Sequence, residues 1–370
     1  MSGMLTPMGI ISGSMSETFG VSVTEITARF SWLTFGLLSG AVIALFIFDL
    51  INLKKLLIAV YGLILVSLVS LMFADSLFSV GAAMGLVGMC CAIGLAGAAL
   101  VISRTYETEQ RASMLVITDG FFSISGIVCS WIAILLIGQQ YHWAGVYQFV
   151  ALIAAVIIVL SLTATFPATK VEHSDGHPKE NWPLEVWLCI IALFLYTLGQ
   201  WSFLLWLPTY AGTQLGAPAD QGGQLVGQFW TGMFVAQLFV AWWVLRVGVS
   251  RLVITAGITT TLFSIPLWIV KDINVLIVLA TCWGFANLGL LKITLSFATE
   301  MVRRPTARLV STLILGATLG TACGPWVTSN IVAATDTHFI LKFGTACYIT
   351  LTVLLLAASY LYRKKLHHEH

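Results

Sequence analysis

The chain has 370 residues, 58% of them hydrophobic and 9% charged, with a mean hydropathy of +0.95. A water-soluble globular chain carries about 25% charged residues, so too little polar sequence is present to coat a soluble surface, and a polytopic all-α membrane protein is the class that remains. The net charge of +2 is scattered into short clusters, which leaves no basic patch for nucleic acid.

Apolar segments of about 20 residues can cross a bilayer as helices. The sequence predicts eleven: Thr27–Phe48, Leu53–Phe73, Leu77–Ser103, Ala112–Gly138, Trp143–Phe166, Leu184–Tyr210, Gly222–Leu245, Ser250–Val270, Ile273–Thr299, Ala307–Thr335 and Phe339–Tyr362. Residues 3–19, GMLTPMGIISGSMSETF, are apolar and rich in small residues but too few to span about 30 Å of hydrocarbon. They read as the second half of a further helix, which would give twelve spans. The alternative is an eleven-span protein with an external N-terminus.

Most connections are short. The exception is Pro167–Pro183, polar and bounded by proline, which reads as a linker between two helix bundles, residues 1–166 and 184–370. Lys and Arg concentrate in alternate loops, including Lys54, Arg104, Arg111, Arg246, Arg251, Arg308 and Lys365. By the positive-inside bias the linker and the C-terminus are cytoplasmic.

Weak self-similarity joins the two halves. Asp49 and Lys54 bound one cytoplasmic turn, and Arg246 and Arg251 bound another 197 positions later with the same spacing. Arg111 and Arg308, each opening a span after a charged turn, are also 197 apart, and Gly126-Ile-Val-Cys129-Ser-Trp131 is echoed by Gly320-Thr-Ala-Cys323-Gly-Pro-Trp326. Such repeats mark transporters built from duplicated bundles.

Ionisable groups inside spans cost on the order of 3 kcal/mol or more, so each is a functional candidate. Asp119 lies eight residues past Arg111, roughly 12 Å into its helix. It reads as a proton-titratable or gating carboxylate, against a structural acid paired at an interface. Lys292 is eight residues before Glu300 and as deep. Either its long stem snorkels to the cytoplasm, or it meets Asp119 when the cytoplasmic side closes.

The run Leu198-Gly199-Gln200-Trp201, with Pro208 beyond it, invites a kink or a broken helix. Gln200 and Trp201 there can bind a hydroxyl and stack a ring, and Asn287, Gln228 and Trp230 carry the same argument more weakly. Asp49, Lys54, Arg104, Glu107, Arg111, Arg246, Arg251 and Arg308 form the charged cytoplasmic turns, which either hold helix ends together in one state or serve topology alone. The seven cysteines lie in apolar segments without CxxC or His-paired spacing and read as packing residues. The histidines sit in loops or the tail, so no catalytic cluster, metal site or cofactor is expected.

The pattern Tyr106-Glu107, Gln110-Arg111, Thr118-Asp119, Phe121-Phe122-Ser123 and Gly126, followed by Tyr196, Leu198-Gly199-Gln200, Phe203, Trp206, Pro208, Tyr210, Leu225-Val226 and Phe229-Trp230, resembles the TsgA-type branch of the major facilitator superfamily. That branch is similar to the fucose/glucose permease group. The resemblance implies the 6 + 6 major facilitator fold, with the first helix truncated here. It also implies a proton-coupled carrier of a small polar solute in a bacterial inner membrane, acting as a monomer in the lipid bilayer. The sequence departs from the permeases at Gln200, where relatives often carry Glu, and around Gly94–Leu100, which lacks an acid. A non-transporting receptor or sensor on the same scaffold is the alternative.

Overall fold

The computed structural model describes the backbone of residues 1–106, 108–166, 182–302 and 307–368; the side chains of 45, 49, 103, 104, 108–117, 119, 241, 242, 244, 245, 307, 308 and 366–368 are also outside the described residues. All regular structure among the described residues is helical, in the order α1 (Ser2–Leu5), α2 (Met8–Phe19), α3 (Val23–Arg29), α4 (Ser31–Leu50), α5 (Leu53–Ser70), α6 (Leu77–Thr105), α7 (Thr108–Gly138), α8 (Gly145–Thr163), α9 (Leu184–Leu215), α10 (Ala219–Val247), α11 (Val249–Ser264), α12 (Pro266–Ile269), α13 (Ile273–Ala286), α14 (Leu290–Glu300), α15 (Ala307–Ala334) and α16 (Thr337–His368). Ten stretches among the described residues are long and apolar enough to cross a membrane.

Helix starts follow the polar residues that flank the apolar runs. Ser22 and Glu25 close a reciprocal capping box at α3. Asn52 accepts from Lys54 N at α5, Ser76 from Ser79 N at α6, and Asp272 from Asn274 N at α13. Gly20 and Gly216 end α2 and α9 in the left-handed region, at φ +65° each.

The chain divides into two compact units, Met1–His177 and Pro178–His370. In the first, α4 packs on α6, and α5 on α8 and α6. The short N-terminal segment is part of this unit: Met4, Leu5, Met8, Ile11 and Met15 are buried, and α1 and α2 lie against α7. In the second, α9 lies against α16, α15 and α10, and α10 packs on α13.

Two helix crossings show the internal repeat in three dimensions. A Cβ at Gly88 of α6 would overlap the Leu33 carbonyl oxygen, and one at Gly36 of α4 would overlap that of Gly85. In the second unit a Cβ at Gly284 of α13 would overlap the Phe229 carbonyl oxygen, and one at Gly232 of α10 that of Thr281. Each member of the second set stands 196 positions after its counterpart. Only hydrogen at these places allows backbones to touch, which is how helices associate where lipid removes the hydrophobic driving force.

Candidate functional site

Of the kink or break expected in α9, the break is absent. The helix continues through Gly199-Gln200-Trp201 and carries Pro208 inside it. Gly199 serves packing instead: a Cβ there would come 3.1 Å from the Gly344 carbonyl oxygen of α16. Close contact on both sides keeps the segment helical. On the other flank Thr197 Oγ1 donates to Ala317 O of α15 at 2.8 Å, and Trp201 Nε1 donates to Thr321 Oγ1 at 3.3 Å. Gln200 and Trp201 are buried in this sandwich.

The interruption is elsewhere, in the span expected over Ile273–Thr299. Helix α13 ends at Ala286 and α14 begins at Leu290. Between them Leu288 has φ +46° and Gly289 φ +65°. A leucine in the left-handed region costs about 1–2 kcal/mol, so the surroundings must hold it there. They do so through α11: Thr259 Oγ1 and Thr260 Oγ1 donate to the Ala286 carbonyl at 3.0 and 3.2 Å. This replaces the i+4 bond that the broken helix has lost.

Asn287 sits at the break and is fully buried. Its Nδ2 donates to Trp283 O at 2.9 Å, one turn back, while its Oδ1 has no partner among the described residues. Trp283 belongs to an aromatic cluster, with ring centroids 4.9 Å from Phe203, 4.3 Å from Phe229 and 6.4 Å from Tyr348. The Tyr348 hydroxyl is buried against the Trp283 indole, its side-chain partner in this cluster. Among the described residues, the core at the break therefore holds a carboxamide oxygen left over from its internal bonding. Such a group costs about 1–3 kcal/mol.

Gln228 Oε1 accepts from Thr281 Oγ1 at 3.0 Å and so ties α10 to α13. Trp230 is buried edge-on to Phe229 at 5.3 Å. Lys292 lies in the first turn of α14 with its side chain exposed. Asp119 falls within α7, but its side chain lies outside the described residues, and so does any meeting with Lys292.

The profile of the Major Facilitator Superfamily matches residues 1–228 and 189–370, which together span the chain. The chain belongs to the Major Facilitator Superfamily. Among curated relatives it is similar to the TsgA homologue of Edwardsiella ictaluri (strain 93-146), 26% identical over 362 residues, covering 97% of this chain and 92% of that protein. It is also similar to the TsgA homologue of Serratia proteamaculans (strain 568), 27% identical over 363 residues with the same coverage. The crystal structure of a single-residue mutant of the nucleoside transporter NupG shares the fold, with a TM-score of 0.76 at 12% identity, covering 96% of this chain and 97% of that one. As a member of this superfamily the chain is a multi-pass membrane transporter.

The charged turns of this superfamily member are described in part. Lys54 Nζ donates to Leu162 O and Ala164 O at 2.8 and 2.9 Å, so it caps the C-terminal end of α8. Arg246 closes α10 and Arg251 opens α11, both exposed, with Gly248 at φ +83° turning the chain between them. Glu107 and the side chains of Asp49, Arg104, Arg111 and Arg308 lie outside the described residues.

Sequence reasoning missed one buried charge. Glu185, in the first turn of α9, is 2% exposed and pairs with Lys365 near the end of α16 at 2.7 Å. The acid is the second residue of the expected span Leu184–Tyr210, at its polar edge, and its partner is 180 positions away. It also missed the break at Asn287, for which the turn-forming Asn-Leu-Gly inside an apolar run was the available signal.

Proposed function

We propose that the protein is a secondary active transporter that carries a small polar solute across the bacterial inner membrane by alternating access, coupled to protons. One observation carries this reading: a membrane span interrupted at Asn287–Gly289, with the fully buried Asn287 keeping an oxygen without a partner among the described residues. Non-helical backbone at membrane depth is tolerated where it is packed in protein or lines a cavity, and transporters use such breaks to bind their cargo. Gln200 and Trp201 in α9 supply an amide and a ring for the same solute, and Trp230 a second ring. Asp119 and Lys292 are the ionisable groups deep in the spans, and Asp119 is the proton-carrying one. The two helix bundles expected from the sequence, 1–166 and 184–370 joined by a cytoplasmic linker, are the halves that alternate. The C-terminus is cytoplasmic and the working unit is the monomer.

The test is solute flux in membrane vesicles, with a pH-sensitive dye inside and a library of sugars, nucleosides and other small polar metabolites. Wild-type vesicles take up one class of solute together with protons. Asp119→Asn keeps solute binding and loses proton movement, whereas Gln200→Ala weakens binding. If solute binds to the purified protein and no flux accompanies it, the chain is a receptor on a transporter scaffold and the proposal fails.

A further inference from the structure

A groove of about 680 Å³ runs along the α4–α6 crossing in the first unit. It is lined by Gly36, where a Cβ would overlap the Gly85 carbonyl oxygen, by Gly85, which has room for one, and by Trp32, Phe35, Leu86 and Met89. Residues 31–39 span about 12 Å of helix, most of the roughly 15 Å depth of one hydrocarbon leaflet. The groove lies at the end of α4 away from Asp49 and Lys54.

One cation stands at its mouth. The Arg29 guanidinium carbon sits 5.5 Å from the Trp32 ring centroid, a cation–π contact. Its stem crosses α6 so closely that a Cβ at Gly81 would come 2.8 Å from Arg29 Cδ. The exposed Phe78 meets Trp32 edge-on at 5.7 Å. Among the described residues no carboxylate pairs with Arg29, and Glu25, one turn earlier, accepts from Ser22 N in the capping box.

The hydroxyls in the groove are already used. Ser31 Oγ donates to Ala28 O at 2.6 Å and Ser39 Oγ to Gly36 O at 2.8 Å. A polyhydroxylated solute would therefore find apolar walls and no free hydroxyl donor. The equivalent place in the second unit is built differently. Leu225, Gln228, Thr231 and Thr281, each 196 positions on, replace Arg29, Trp32, Phe35 and Gly85. There the Gln228–Thr281 hydrogen bond bridges the two helices. Helix crossing alone does not demand an Arg–Trp mouth over an apolar groove; of these two crossings, only the one in the first unit has it.

We propose that this groove binds an anionic phospholipid, with an acyl chain lying on Gly36 and Gly85 between Trp32, Phe35 and Leu86, and the phosphate at Arg29. The apolar trough fits a chain, and the guanidinium on an aromatic face at its end, with no carboxylate beside it, fits an anionic head. This site is separate from the solute-binding break in α13–α14, so either can fail without the other.

The experiment is thermal unfolding of the purified full chain in neutral detergent, titrated with phosphatidylglycerol, phosphatidylethanolamine or glycerol 3-phosphate. Wild type is stabilised saturably by both lipids, with phosphatidylglycerol half-saturating at about fivefold lower concentration, the effect of one cation near an anionic head. Arg29→Gln removes that preference while retaining the response to both lipids. Gly85→Leu, which fills the trough, removes the saturable response to either. The proposal is overturned if wild type shows no preference, if Arg29→Gln keeps it, or if glycerol 3-phosphate alone reproduces the shift, since the ligand would then be a soluble phosphate.

Discussion

Replacing Gly88 by alanine tests whether the repeat seen in the two crossings holds each unit together. The added methyl would overlap the Leu33 carbonyl oxygen. Atoms of this kind do not approach much closer than about 3 Å, so α4 and α6 would have to part by about 1 Å along a tightly packed seam, a form of overpacking that costs about 1–3 kcal/mol. Gly62, in α5, is the control: a Cβ there meets nothing within 4 Å. Alanine at that place gains up to about 1 kcal/mol of helix propensity. That gain is common to both helical positions, so the two substitutions should differ by about 1–3 kcal/mol, which is roughly 2–12 °C in Tm for a unit of this size. Gly284→Ala should match Gly88→Ala, because it meets the Phe229 carbonyl in the same way. The assay is a thiol-reactive dye that lights up on unfolding, since Cys90, Cys91, Cys129, Cys189 and Cys347 are buried. Equal Tm values for Gly88→Ala and Gly62→Ala would refute the argument that backbone contact at these glycines sets the crossing.

Asn287→Leu should leave Tm unchanged or raised, because it removes a buried oxygen without a partner among the described residues, while abolishing flux in the vesicle assay; retained flux would remove Asn287 from the solute path. Lys365→Met and Glu185→Gln should each cost about 1 kcal/mol, discounted from the buried-pair range because Lys365 is 59% exposed. The double mutant should cost little more than either single one, and additive Tm losses would mean the pair is not coupled. Lys54→Met should lower Tm slightly, by the equivalent of about 0.5–1 kcal/mol, through loss of the α8 cap; no change would place its role in topology alone.

That this chain lives in a bilayer, where its helices lie, and that its halves repeat are all legible in the order of its residues. Each of these is a local property: the length of an apolar run, a capping residue at its start, a recurring spacing. Spans such as Leu53–Phe73 and Leu77–Ser103 appear in the structure within a few residues of expectation. Which polar residues are tied up, and which are left over, emerges only when the helices pack. Gln228 and Asn287 are similar amides in similar apolar runs, yet one bonds Thr281 and the other keeps an oxygen without a partner among the described residues. The helix breaks at Leu288 rather than at Gly199 because α15 and α16 clamp α9, while Thr259 and Thr260 of α11 satisfy the carbonyl that a break exposes. Glu185 found its cation 180 positions away for the same reason. A partner's identity is set by packing between segments remote in the chain, and no window of sequence holds both ends of such a contact.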